Sequence, residues 1–63
     1  MKPTRLKVGD KFIDGNGITH TIVEIDHEKV IHSYFSDGRF VEDGFIYRNV
    51  FDYLLNEKIL WIL

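Results

Sequence analysis

Cysteine is absent from this chain of 63 residues. No disulfide, thiolate zinc site or cysteine nucleophile is therefore available to it. Alanine and glutamine are missing too, and without the strongest helix former long helices are not expected. Proline occurs once. No apolar run approaches the roughly 18 residues of a spanning helix. Lys2-Pro3-Thr4 stands where a signal peptide would carry its apolar stretch, so the expected setting is cytoplasmic, with no membrane partner. A dominant charge is lacking as well: eight basic residues against ten acidic ones leave a net charge of −2. Beyond Lys2, Arg5, Lys7 and Lys11 there is no basic stripe of the kind that nucleic-acid binders carry, and the chain is too weakly acidic to imitate DNA.

What is present describes a folded protein. Hydrophobic residues make up 44% and charged residues 29%, a balance that separates it from disordered chains. The length allows one domain, residues 1–63. A domain of about 60 residues buries only roughly 60% of its unfolded surface, so stability must come from large side chains or from a partner. Five Phe, three Tyr and one Trp supply the first. Residues with AT-rich codons (Phe, Tyr, Met, Ile, Asn, Lys) number 25 against 9 for those with GC-rich ones (Gly, Ala, Arg, Pro). The expected source is an AT-rich genome, that of a low-GC bacterium or a phage.

Turn signals recur at short spacing: Asp14-Gly15-Asn16-Gly17, Asp26-His27-Glu28-Lys29, Asp37-Gly38 and Asp43-Gly44. Gly, Asn and Asp supply the backbone conformations that tight hairpins need. The runs between them are rich in β-branched and aromatic residues, which predicts an antiparallel meander. Strands are expected over 7–14, 18–26, 30–36 and 39–42, with a short extended piece at 45–47. Asn49 as an N-cap with Asp52 in the first turn, and Val50, Phe51, Leu54 and Leu55 on one face, predict a short helix near 50–57. The apolar end, 58–63, reads as a buried last strand.

Two-residue turns set the registers. A turn at Asn16-Gly17 pairs Phe12 with Thr21 and Ile13 with His20. One at His27-Glu28 pairs Ile25 with Val30 and Val23 with His32. One at Asp37-Gly38 pairs Phe35 with Phe40 and Tyr34 with Val41. Both faces of the resulting sheet are apolar. The sheet must therefore close into a small barrel, or have its second face covered by the helix or by another chain. Alternation breaks between Ile22 and Val23, as in a bent strand.

Leu6-Lys7-Val8-Gly9-Asp10-Lys11-Phe12, a Gly-rich hairpin and Ile22-Val23-Glu24-Ile25-Asp26 together resemble the opening of SH3-like small barrels. The resemblance is one of layout over most of the chain, with Val8-Gly9-Asp10 as its motif. It implies an all-β fold: a five-stranded antiparallel barrel or strongly bent sheet with one short helix before the last strand. SH3-like barrels include peptide binders, RNA-binding modules and subunit-assembly modules, so no single function follows. The aromatic peptide groove of eukaryotic SH3 domains has no matching motif here.

No constellation points to catalysis, a cofactor or a metal. His20, His27 and His32 lack metal-ligand spacing, and the registers above set His20 and His32 on opposite faces. Most Asp residues occupy turns, where backbone hydrogen bonds account for them. Ser33 and Ser36 sit in no nucleophile turn, and Asp14-Gly15-Asn16-Gly17 leads into no helix that would make it a phosphate loop. Base stacking on the aromatics normally comes with a basic groove, and Arg39 and Arg48 stand beside Glu42, Asp43 and Asp52.

The surplus of apolar residues remains, and an exposed patch of that kind marks an interface. The expected function is a non-catalytic protein-interaction module: a small regulator, adaptor or inhibitor that occupies a partner's surface. The AT-rich coding suggests a phage-encoded inhibitor of a host system. A nucleic-acid-binding accessory module ranks second. The expected interface is Tyr34, Phe35, Arg39, Phe40, Phe45, Tyr47 and Arg48, since hot spots favour Tyr, Trp and Arg. The partner is a protein that the sequence does not identify, or a second copy in a homodimer or larger oligomer.

Overall fold

Three of the four expected turns reverse the chain, and the strands pair as antiparallel neighbours; Asp43-Gly44, expected as a turn, lies inside a strand. In the computed structural model, which describes residues 6–63, the elements run β1 (Lys11–Ile13), β2 (Thr19–Ile25), β3 (Lys29–Ser36), β4 (Arg39–Tyr47), α1 (Arg48–Asn56) and β5 (Trp61–Ile62). They form one five-stranded sheet in the order β4-β3-β2-β1-β5. The expected all-β architecture, with a short helix before the last strand, is present. The sheet is open rather than closed into a barrel. Lys2 and Arg5 of the basic N-terminal group lie outside the described residues.

The register of the third hairpin holds; that of the second holds beside its turn but not at Val23, because His32 faces Ile22 instead. Phe35 pairs with Phe40 and Tyr34 with Val41, across a tight turn in which Asp37 and Gly38 both adopt positive φ, the backbone of a primed hairpin turn. Ile25 pairs with Val30. The first hairpin is shifted by one residue: Phe12 faces His20 and Ile13 faces Thr19. Its loop has three residues, not two. The amide of Asp14 donates to the Ile18 carbonyl, and Gly17 takes φ +81°, as in hairpins whose third loop residue is left-handed. A one-residue shift moves every side chain of a strand to the opposite face, so His20 joins Phe12.

Two bulges complete the pattern. In β2 the extra residue is Val23, so Ile22 and Ile25, three apart, both face inward. This is where alternation breaks in the sequence. In β4 the register shifts between the His32 and Tyr34 pairs, so three steps from Val41 to Gly44 match two on β3. Glu42 and Asp43 therefore belong to one continuous strand, which replaces the expected break between 39–42 and 45–47. The bulge also reverses the parity of β4. Phe40 and Phe45, five residues apart, share the outer face because each pairs with an outward residue of β3, Phe35 and Ile31.

The inner face is the core: Phe12, Ile22, Val30, Phe51 and Leu60, with Leu6, Ile25, Ile46, Leu54, Leu55 and Ile62 packed against it. Phe51 carries the helix into this core, whereas Val50, expected beside it, is exposed. The helix starts earlier than Asn49. Tyr47 is its N-cap without a side-chain bond, and the Arg48 amide donates to the Glu28 carbonyl at 2.8 Å. Asp52 falls past the first turn and pairs with Arg48 at 3.1 Å. Residues 7–10 form a turn rather than a strand: Asp10 accepts from the Lys7 amide and ammonium, Gly9 sits at φ +97°, and Val8 is exposed. The last strand is shorter than expected. Leu60 is buried and Ile62 half-buried, but Ile59, Trp61 and Leu63 are exposed. No helix among the described residues is long and apolar enough to cross a membrane.

After α1 the amide of Lys58 donates to the Leu55 carbonyl and that of Ile59 to Leu54, the paired bonds of a Schellman stop. The left-handed residue in this motif is Lys58, at φ 62°, where glycine is usual because it has no Cβ to strain. Lys58→Gly is expected to stabilise the fold by about 0.5–1 kcal/mol, read as a rise in thermal midpoint of several degrees. A midpoint equal to or below the parent's contradicts this account of the helix stop.

Candidate functional site

The long β3–β4 hairpin builds the candidate binding surface. Pairing between β2 and β3 ends at His20–Tyr34, so Phe35 and Ser36 have only β4 beside them and the hairpin tip projects past β2. On the outer face lie the cross-strand pairs Phe35–Phe40, Ile31–Phe45 and Lys29–Tyr47. Phe35, Phe40, Phe45 and Tyr47 remain 63%, 61%, 50% and 60% exposed, so they form an uncovered aromatic strip rather than a core. Phe45 and Tyr47 meet edge-to-face with centroids 4.9 Å apart. That is a favourable aromatic arrangement, and it holds two large rings in place at the surface. Arg39 is exposed but pairs with Ser36, one step from the Phe35–Phe40 pair, so it belongs to the opposite face.

Two residues expected on this surface serve the interior instead. Tyr34 turns to the inner face and packs on His20 and His32, at centroid distances of 4.6 and 5.6 Å. Arg48 is half-buried. Its Nε donates to Asp52 and its NH1 to the Asp26 carbonyl, both at 3.1 Å, which ties the start of α1 to the β2–β3 turn. The structure therefore brings together Phe35, Phe40, Phe45 and Tyr47, sets Arg39 on the opposite face of the hairpin, and uses Tyr34 and Arg48 to hold elements in position.

Behind the sheet lies a cluster that the sequence registers separated. His20 and His32, on adjacent strands, are both buried, with Nδ1 atoms 3.0 Å apart. His20 Nε2 lies 2.8 Å from Asp14 Oδ2. The other oxygen of Asp14 accepts from the amides of Asn16 and Ile18. Burial alone raises the Asp14 carboxyl, but the bonds from His20, Ile18 and Asn16 outweigh it and hold the group below its ordinary value. As a carboxylate, Asp14 is acceptor-only, so His20 Nε2 carries the proton between them. With both rings neutral, His32 Nδ1–H donates to His20 Nδ1, and His32 Nε2 is left as a bare acceptor. That Nε2 is buried without a partner. Phe12 stacks on His20 at 4.7 Å and meets His32 edge-on at 5.4 Å.

One hydrogen fits between the two Nδ1 atoms, so both rings cannot be protonated in this geometry. Burial first, and the charge of His20 second, push His32 down from 6.5 to about 4. Reading Val23 as a bulge residue, which sets Ile22 rather than Val23 opposite His32, would have placed the two histidines on one face. Among the described residues no group of three or more His, Asp or Glu is placed to hold a metal ion. The chain of bonds links the first hairpin loop to the core; it is not open to a substrate at His32 Nε2.

Gly44 faces His32 across the β3–β4 pair. A Cβ there would stand 2.6 Å from His32 Cε1, and its φ lies outside the left-handed region, so space alone calls for glycine. Gly44→Ala is expected to cost about 1–3 kcal/mol of stability, and most of this cost should vanish in a His32→Ala background, as double-mutant unfolding measures. Equal costs in both backgrounds would refute the contact.

The histidine pair also gives a pH dependence. Between pH 4 and 6.5 the folded chain binds fewer protons at His32 than the unfolded chain, so stability is complete above about 6.5 and falls as pH drops towards 4. The change attributable to His32 is on the order of 3 kcal/mol. Below that range the carboxylates of Asp14, Asp10 and Asp26, all held below their ordinary values, lose their native bonds on protonation and add to the loss. Denaturant unfolding at a series of pH values should show this slope, and His20→Leu/His32→Leu should flatten it above pH 4. An unchanged slope in the double variant assigns the effect elsewhere.

Set against protein-family models, curated proteins and solved structures, the chain matches none of them, so its own geometry carries the functional reading.

Proposed function

We propose that the protein is a non-catalytic protein-interaction module, a small regulator, adaptor or inhibitor that acts by occupying a partner's surface with the outer face of the β3–β4 hairpin. The observation that carries this is the exposed strip of Phe35, Phe40, Phe45 and Tyr47 on the sheet face opposite the core. Aromatics of this size on one face are costly to leave in water, and they recur at the centres of interfaces. In this reading the fold is kin to the SH3-like barrels. The meander of five strands, the helix before the last of them and the bulged β2 support that kinship. The cytoplasm is its setting, where a chain without cysteine loses nothing by the absence of disulfides.

Tagged parent protein and the variants Phe35→Ala and Tyr47→Ala test the reading by capture from host extract, mass spectrometry and then affinity measurement on the purified partner. Each variant should keep its thermal midpoint, within about 0.5 kcal/mol of stability, and lose about 1–2 kcal/mol or more of binding. Unchanged binding by both variants removes this face as the interface. Filter binding to DNA and RNA at low and high salt is the counter-test, since phosphate contacts give an affinity that falls steeply with salt. Tight, salt-sensitive binding there would overturn the proposal.

A further inference from the structure

The sheet has two edges of unequal length. β5 ends one side with two residues; β4 ends the other with nine and has β3 as its only strand neighbour. We infer that the free edge of β4 receives an extended segment of a partner protein by strand addition, and that this segment pairs a basic side chain with a large apolar one two residues away. The inference rests on the interaction-module reading above and names the partner's chemistry.

The backbone supplies the first argument. Ser36 and Arg39 close the two-residue turn of the hairpin, and in such a hairpin the closing pair is hydrogen-bonded and bonding alternates from there. Arg39 and Val41 therefore bond towards β3, whereas the N–H and C=O of Phe40 and Glu42 point away from it. Unpaired groups of this kind are what an added strand satisfies. Arg39, Phe40, Val41, Glu42 and Asp43 line a groove along this same stretch.

Charge selects the occupant. Glu42 and Asp43 are exposed and adjacent, and neither takes part in an ion pair among the described residues. Lys29 is engaged with Glu24 and Asp26, and Arg48 with Asp52; Arg39, at the end of the same groove, forms no ion pair with either carboxylate. A second copy fits poorly. Antiparallel pairing of β4 with itself over Arg39–Tyr47 is centred on Asp43, which sets Asp43 against Asp43 of the other copy with both Glu42 carboxylates alongside. Like charges placed directly opposite destabilise a sheet. The register that sets Arg39 against Asp43 uses only residues 39–43 of each strand. A segment that places Lys or Arg opposite Glu42 meets the charge, and its residue two positions on falls opposite Phe40, on the same outer face.

The probe is the blocked peptide Thr-Val-Lys-Thr-Phe-Val-Thr, compared with the same peptide carrying Glu for Lys, each titrated into isotope-labelled full-length protein and followed by amide NMR. The Lys peptide should perturb and slow the exchange of the Phe40 and Glu42 amides, and bind about tenfold or more tightly than the Glu peptide at low salt. Glu42→Gln/Asp43→Asn, which keeps shape and removes charge, should bring the two peptides to within about twofold of each other. Equal binding of both peptides to the parent, no binding of either, or perturbations centred away from β4 would each overturn the inference. If the peptides fail while Phe35→Ala and Tyr47→Ala still weaken the captured partner, strand addition falls and the aromatic face stands.

Discussion

Two imidazoles share one hydrogen in the middle of the core, and the rest of the molecule is arranged so that they can. A polar pair away from water is tolerated only when its bonds are made. His20 and His32 meet at 3.0 Å because the bulge at Val23 sets Ile22 opposite His32, and the three-residue loop of the first hairpin sets Phe12 beside His20. Asp14 joins the two requirements. One carboxylate oxygen holds the loop through the amides of Asn16 and Ile18, and the other holds His20. Loop length, strand register and the protonation of the core are thus a single condition. Gly44 belongs to it as well, since the ring of His32 fills the space where a side chain on β4 would go.

The polar pair also carries specificity. An apolar sheet of this size has several registers of similar burial. Without the bulge at Val23, His32 would face Val23 and His20 would lie on the opposite face, leaving His32 Nδ1 without its partner, so the alternative loses a buried bond that the native register makes. Such use of a buried polar contact to choose among registers is better attested than its use for stability.

Much of the fold was legible because turn chemistry is local. Asp37-Gly38 and the pairs Phe35–Phe40 and Tyr34–Val41 follow from two residues with positive φ, and the break between Ile22 and Val23 marks a bulge that is present. What was not legible depends on contacts between distant residues. Asn16-Gly17 suits loops of two or three residues equally, and the bond from Asp14 to His20 decides between them. Asp43-Gly44 has the composition of a turn yet continues a strand, because Gly44 is there to admit a ring from β3. Of the site, the exposed aromatics could be read directly. The inward roles of Tyr34 and Arg48 could not, since Tyr34 answers to the histidines and Arg48 to a carbonyl 22 residues earlier. The acidic bulge gives the edge a sign, and the aromatic strip beside it gives that edge something to grip.

The shortness of β5 has its own consequence. It meets β1 over two residue pairs, and the chain between it and α1 turns at a lysine held in a conformation that suits glycine. Pairing among β2, β3 and β4 is far more extensive. The molecule is therefore graded in local stability, and its low end is the C-terminus. When β5 frays, Leu60 and Ile62 leave the core and uncover Phe12, the ring that stacks on His20. Breathing at the terminus thus admits water first to the most polar part of the interior, while the hairpin that faces outward stays folded.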